Sequence, residues 1–154
     1  MYTFKRTDSS DNDFKKLVSL LDEELAKRDG EEHAFYDQFN KIESIKNVIV
    51  AYADQEPVAV GAFKKFSPIA VEIKRMFVTP DFRGKRIAFQ ILHQLEEWAA
   101  ELGYSDCVLE TGKKQPEAIA LYKKSGYTVI PNYGQYKNVS NSVCMQKTIS
   151  GSLH

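Results

Sequence analysis

From residue 70 onward the hydrophobic pattern alternates between the two-residue period of a strand and the 3.6-residue period of a helix, and this restricts the chain to layered α/β packing. Residues 70–79 read as a strand that Pro80 halts, because proline cannot donate to a ladder. Ile87, Ile91, Leu92, Leu95, Trp98, Ala99 and Leu102 then share one face of a helix stopped by Gly103. Residues 107–110 give another strand, residues 115–125 a helix with Pro116 near its first turn, and residues 143–149 a last strand. Strand, helix, strand in this order implies a βαβ crossover.

Upstream, residues 2–7 alternate as a short strand and residues 9–12 supply N-cap candidates. A helix follows from about Asp13 to Gly30, with Phe14, Leu17, Val18, Leu21 and Leu25 on one face. Residues 33–40 read as a second helical stretch, in which Phe35, Phe39 and Ile42 recur at helical intervals, and Phe35, Tyr36 and Phe39 read as core or lid. Residues 48–53 and 58–65 are β-rich runs around a hairpin loop at 54–57.

The 154 residues suit one domain over 1–149 with a flexible tail over 150–154. At 43% hydrophobic and 27% charged residues the balance is that of a globular chain, not a disordered one. The longest apolar runs fall far short of the ~20 residues that cross a bilayer, and the N-terminus lacks an apolar signal segment, so no membrane association and a cytoplasmic location are expected. Cys107 and Cys144 make neither a disulfide framework nor a zinc spacing, and read as buried thiols. Residues 1–46 carry a net charge of −3 and the remainder +3, too weak an asymmetry for general nucleic-acid binding.

Chemistry is concentrated in Val78-Thr79-Pro80-Asp81-Phe82-Arg83-Gly84-Lys85-Arg86-Ile87-Ala88, where a strand passes through a basic loop into the amphipathic helix. The first turn of a helix has unpaired N–H groups and a partial positive charge, so a phosphate can dock there, with Arg83, Lys85 and Arg86 adding attraction. The bland alternative is a surface loop with solvated charges. The run Arg83-Gly84-Lys85-Arg86-Ile87-Ala88 resembles the acetyl-coenzyme A pyrophosphate loop of the GNAT superfamily of N-acetyltransferases, R/Q-x-x-G-x-G/A. Arg86 stands where that family usually has glycine, which hinders close backbone approach but adds a cation. A second stretch, Gln115-Pro116-Glu117-Ala118-Ile119-Ala120-Leu121-Tyr122-Lys123-Lys124-Ser125-Gly126-Tyr127, is similar to the superfamily's N-x-x-A-x-x-L-Y-x-x-x-G-F/Y segment, with Gln115 in place of asparagine.

The resemblance implies the α/β (α+β) GNAT fold: a mixed central sheet of six to seven strands with helices on both faces, in the order β-α-β-β-β-α-β-α-β. It implies acetyl-CoA as cosubstrate, without a metal, held by Arg83, Gly84, Lys85, Arg86, Ile87, Ala88 and Gln115 and by main-chain groups of Met76, Phe77 and Val78 on a strand splayed from its neighbour. Acetyl transfer then goes directly to a primary amine of a small molecule or peptide, with one N–H polarising the thioester carbonyl. Tyr122 is the expected general acid for the departing thiolate, because tyrosine remains protonated at neutral pH. Without the motif it would read as a packing aromatic.

The attacking amine needs a base. Glu72 and Glu110 lie on strands expected to line the cleft; Glu72 is favoured, and Glu110 is placed with the substrate. The alternative for each is a surface carboxylate paired with a neighbour such as Lys74 or Arg75. Arg75 either grips a substrate carboxylate or pairs with an acid. Tyr133, in the loop Tyr133-Gly134-Gln135-Tyr136, either meets the substrate or caps the core. Lys113, Lys114, Lys123 and Lys124 could attract the coenzyme's 3′-phosphate, and His93 faces solvent. Cys107 as an acyl carrier is discounted because its strand reads as buried. The apolar strand Val143-Cys144-Met145 could pair across a homodimer. A non-catalytic acyl-CoA sensor on the same fold is the rival reading.

Overall fold

Val48 and Val50 point to one helix and Ile49 and Ala51 to another, and all four are fully buried. Burial on both faces explains why this strand is continuously apolar instead of alternating. A computed structural model describes residues 2–29 and 44–149. The helical stretch expected at 33–40, with Phe35, Tyr36 and Phe39, and the tail at 150–154 lie outside the described residues.

The described elements are β1 (Tyr2–Thr7), α1 (Asn12–Asp29), β2 (Asn47–Ala53), β3 (Glu56–Lys65), β4 (Ala70–Val78), α2 (Ile87–Glu101), β5 (Asp106–Gly112), α3 (Pro116–Lys124), β6 (Thr128–Ile130) and β7 (Ser142–Thr148). The strands form one mixed sheet in the order β1-β2-β3-β4-β5-β7-β6. Only the β4–β5 pair is parallel, as the α2 crossover between them requires. Phe14, Leu17, Val18 and Leu21 of α1 cover one face with Val60, Ala62 and Phe77; Ile87, Ile91, Leu92 and Leu95 of α2 cover the other with Phe63, Val71 and Ile73. No helix among the described residues is long and apolar enough to cross a membrane.

Three details depart from expectation. The first hairpin turns on Asp54 and Gln55 alone, both at positive φ (50° and 80°), so Glu56 and Pro57 belong to β3. Such a turn matches the right-handed twist of its strands and lets them pair to their ends. β6 adds a second strand after α3, making the order end β-α-β-β; three residues are too few to display a period. β7 is paired by β5 along its length and by β6 from Cys144 to Gln146, so Cys144 and Met145 have no free edge with which to join a second copy. The edges of the sheet are β1 and β6.

A bulge in β4 positions the site. Val60 pairs with Phe77 and Ala62 with Lys74, so Arg75 and Met76 together oppose Gly61, and Arg75 takes a positive φ of 60°. Uninterrupted alternation would put Val71, Ile73, Arg75 and Phe77 on one face. Instead Met76 and Val78 join Val71 and Ile73 on the α2 side, while Arg75 and Phe77 turn toward α1. Gly61 is what admits the shift: a Cβ there would stand 2.6 Å from both Ile91 Cγ2 and Met76 Sδ.

The second feature is where pairing stops. β4 and β5 are in register only at Ala70–Asp106, Val71–Cys107 and Glu72–Val108. Beyond Glu72 the strands part, while β5 continues to Gly112 against β7 alone. The expected splay therefore begins at Ile73, three residues before Met76.

Candidate active site

The parted strands open into two adjoining spaces. The larger, about 800 Å³, lies under the mouth of α2 and is lined by Met76, Phe77, Val78, Phe82, Arg86 and Ile87 from one side and by Ala118, Leu121 and Tyr122 of α3 from the other. The smaller, about 120 Å³, lies deeper between β4 and β5 and is lined by Glu72, Arg75, Glu110, Thr111 and Tyr136. Met76, Gln115, Ala118, Tyr122 and Leu21 border both, so Tyr122 stands where the outer cleft meets the inner pocket.

The basic loop leaves β4 through a 3₁₀ turn at Pro80–Phe82 and enters α2 with Gly84 at φ 78° and Arg86 at φ 66°. Arg86 is the N-cap of α2 and no side chain caps that end, leaving the first-turn amides to other partners. A left-handed conformation costs a non-glycine residue about 1–2 kcal/mol, the physical reason a glycine would sit easily at this position. Arg86 keeps its cation near the turn, over the Phe89 ring at 5.2 Å. Of the predicted loop residues, Arg83, Gly84, Arg86, Ile87 and Ala88 line the outer cleft, whereas Lys85 is exposed outside that lining. Arg83 is already engaged: its Nη2 donates to Glu24 Oε1 of α1 at 2.8 Å and its Nε to the Val78 carbonyl at 2.9 Å.

On the α1 face of the sheet, two carboxylates approach the inner pocket from opposite sides of the splay. Glu72 is 5% exposed and accepts a 2.7 Å hydrogen bond from the Tyr133 phenol at Oε2. The alternative, a surface pairing of Glu72 with Arg75, does not form; Arg75 Nη1 donates instead to Asp22 Oδ1 at 2.9 Å, a partner on α1 invisible to local sequence. Tyr133 thus meets the pocket through Glu72, and the ring that lines it is that of Tyr136, which is buried. Asn132 pins this loop by donating through Nδ2 to the carbonyls of Val139 and Ser142, both at 3.1 Å. Burial, then the charge of Glu72, pushes the Tyr133 phenol above the usual tyrosine range.

Tyr122 is 6% exposed; burial above all, and the charge of Glu110 second, raises its phenol above the ordinary value, so it is protonated through the neutral range. Burial foremost pushes the Cys107 thiol up to about 12, which leaves it without thiolate at neutral pH. His93 is exposed, 3.5 Å from Glu97. Lys113, Lys114, Lys123 and Lys124 are all exposed, and Lys124 reaches the lining of the outer cleft. Sequence reasoning missed Leu21, Leu25, Asp22 and Glu24 as site neighbours. The two leucines belong to the same apolar stripe as the core residues, and the two acids look like any solvated helix face.

The model of the acetyltransferase (GNAT) family matches residues 14–127, from α1 through the end of α3 and the turn beyond it. The chain belongs to the GNAT acetyltransferase family. An IAA acetyltransferase of Azospirillum brasilense is 40% identical over 78 residues, 51% of this chain and 51% of that protein. An uncharacterised N-acetyltransferase of Schizosaccharomyces pombe is 30% identical over 107 residues, 67% of this chain and 64% of its own length. The chain thus spans roughly half to two thirds of these relatives. Among solved structures, a Klebsiella pneumoniae protein provisionally described as an acyl-CoA N-acyltransferase superposes with a TM-score of 0.80 at 27% identity, over 97% of this chain and 98% of that one. The PaiA N-acetyltransferase of Thermoplasma acidophilum, solved with coenzyme A, shares the fold with a TM-score of 0.71 at 17% identity, over 96% and 99% of the two chains. A GNAT sheet is known by its parted central strands, and here the parting follows Glu72.

Proposed function

We propose that this GNAT chain transfers the acetyl group of acetyl-CoA directly to a primary amine of a small molecule or peptide, as one domain over residues 1–149. The observation that carries this reading is that the outer cleft and the inner pocket adjoin at Tyr122, which borders both. The residues suit the donor. The α2 N-terminus is uncapped by any side chain, and a Cβ at Gly84 would meet nothing within 4 Å, so the turn is open to a diphosphate. Amides of the first turn, with Arg86, would hold that group, and Lys85, outside the lining, would act on it only as a nearby charge; the β4 edge at Met76, Phe77 and Val78, left without a strand partner on its β5 side, would hold the extended arm, with Gln115 opposite. Acetyl-CoA supplies an activated thioester, the only chemistry the chain itself does not bring.

An amine with a pKa near 10 is neutral in about one molecule in a thousand at pH 7, a handicap of about 4 kcal/mol. Glu72 offsets part of it by accepting the ammonium proton, directly or through water, while Glu110 draws the cation into the pocket. The Tyr133 hydrogen bond fixes which Glu72 oxygen is free: Oε2 is occupied, leaving Oε1 for the incoming amine. The ammonium nitrogen gives up two protons on becoming an amide: the first leaves through Glu72 to solvent, and the second, lost as the C–N bond forms and the C–S bond breaks, balances the proton that ends on sulfur, to which Tyr122, itself protonated, donates a hydrogen bond as it departs. Arg75, tied to Asp22, orders the wall of the inner pocket against α1. Cys107 takes no acyl group.

The test is an acetylation screen over a panel of primary amines, free amino acids, diamines, amine-bearing antibiotics and peptides, with coenzyme A thiol release as the readout. Saturable release with at least one amine class is expected. Tight acetyl-CoA binding with no turnover on any class would favour an acyl-CoA sensor.

A further inference from the structure

Beneath the junction occupied by Tyr122 lies a buried polar cluster that the proposed chemistry does not use. Glu96, on α2, is 6% exposed; its Oε2 accepts from the Tyr127 phenol at 2.9 Å and its Oε1 from Lys147 Nζ of β7 at 2.8 Å. The Lys147 ammonium also stands over the Tyr127 ring at 5.9 Å. A buried ion pair contributes little net stability compared with apolar side chains of the same shape, so its presence asks for a reason other than packing.

Geometry supplies one. α3 ends in a turn where Gly126 takes a φ of 99° and the Tyr127 amide returns to the Tyr122 carbonyl at 3.0 Å. The turn lays the Tyr127 ring edge-on against the Tyr122 ring, centroids 5.9 Å apart and planes at 64°. Among the described residues Tyr122 makes no side-chain hydrogen bond, and its ring is held by contact. Tyr127, by contrast, is anchored to α2, the helix whose N-terminal turn borders the outer cleft.

We propose that Tyr127, fixed by Glu96 and Lys147, is the positioning residue for the Tyr122 phenol and sets its distance from the α2 turn. This rests on the reading of Tyr122 as donor to the leaving sulfur. The inference is tested by a double-mutant cycle in kcat together with the NMR signal of ring-labelled Tyr122. Tyr127→Leu should lower kcat by about tenfold, with KM for acetyl-CoA within about twofold, and the same change in a Tyr122→Phe background should cost less than about twofold. Tyr127→Phe, which keeps the ring and loses the Glu96 bond, should fall between, at about threefold. In Tyr127→Leu the Tyr122 ring signal should split or broaden. Equal fold losses in both backgrounds would overturn the proposal, because a residue that only packs the core acts without regard to the Tyr122 hydroxyl. Should Tyr122→Phe itself turn over normally, the donor reading falls separately, and the ring signal decides: unchanged and sharp overturns positioning, split or broadened upholds it. If Tyr127→Leu does not fold, Tyr127→Phe and Glu96→Gln carry the same cycle, with the same outcomes.

Discussion

Tyr122→Phe should lower kcat by about 10²- to 10³-fold while KM for acetyl-CoA stays within about twofold. The substitution keeps the ring that borders both spaces and its contact with Tyr127, and removes only the hydroxyl. An interaction made with sulfur only as the bond to carbon breaks lowers kcat without touching ground-state binding. Steady-state rates by thiol detection and coenzyme affinity by calorimetry separate the two. Because burial and Glu110 raise the phenol's pKa, an active enzyme should show no loss of rate from Tyr122 ionisation as pH rises to 10. A kcat for Tyr122→Phe within a few-fold of the parent would remove Tyr122 from the mechanism.

Glu72→Gln should lower kcat/KM by about 10²-fold at pH 7, and the deficit should shrink as pH rises. The sign follows from the substrate: between pH 7 and 9 the neutral fraction of an amine with a pKa near 10 grows by about a hundredfold, so the need for a protein base falls. Glutamine can still accept the Tyr133 hydrogen bond through its carbonyl, so the loop over the pocket should stay closed. The pH profiles of parent and variant, measured with one amine substrate, make the comparison. A deficit constant across that range would mean that Glu72 holds the substrate's charge and does not take its proton; Glu110→Gln, tested alongside, then becomes the variant whose deficit shrinks.

Most of the framework is legible in the chain because it rests on patterns of period. The face formed by Phe14, Leu17, Val18 and Leu21, the continuous β2 run and the α2 stripe from Ile87 to Leu95 each specify both an element and the side it buries. The positive φ at Arg86 also fits what the loop motif suggests, since that position calls for a residue able to turn left-handed. What is hidden is what depends on distant partners. Nothing in Lys74-Arg75-Met76 announces a bulge; it follows from the absence of a side chain at Gly61, thirteen and more residues earlier, where Met76 and Ile91 fill the gap. The partners of Arg75 and Arg83 sit on α1, more than fifty residues away, and tie both guanidinium groups to that helix. Tyr133 and Glu72 meet across sixty-one residues. Such pairs have no local signature, because each side chain is ordinary in its own segment.

On this reading the α2 turn seats the donor's diphosphate. Crystallising the protein with coenzyme A addresses this directly. The diphosphate should lie against the amides that follow Arg83, the arm should run along Val78, Phe77 and Met76, and the sulfur should end beside the Tyr122 hydroxyl. A coenzyme bound elsewhere, with that turn filled only by solvent, would contradict it.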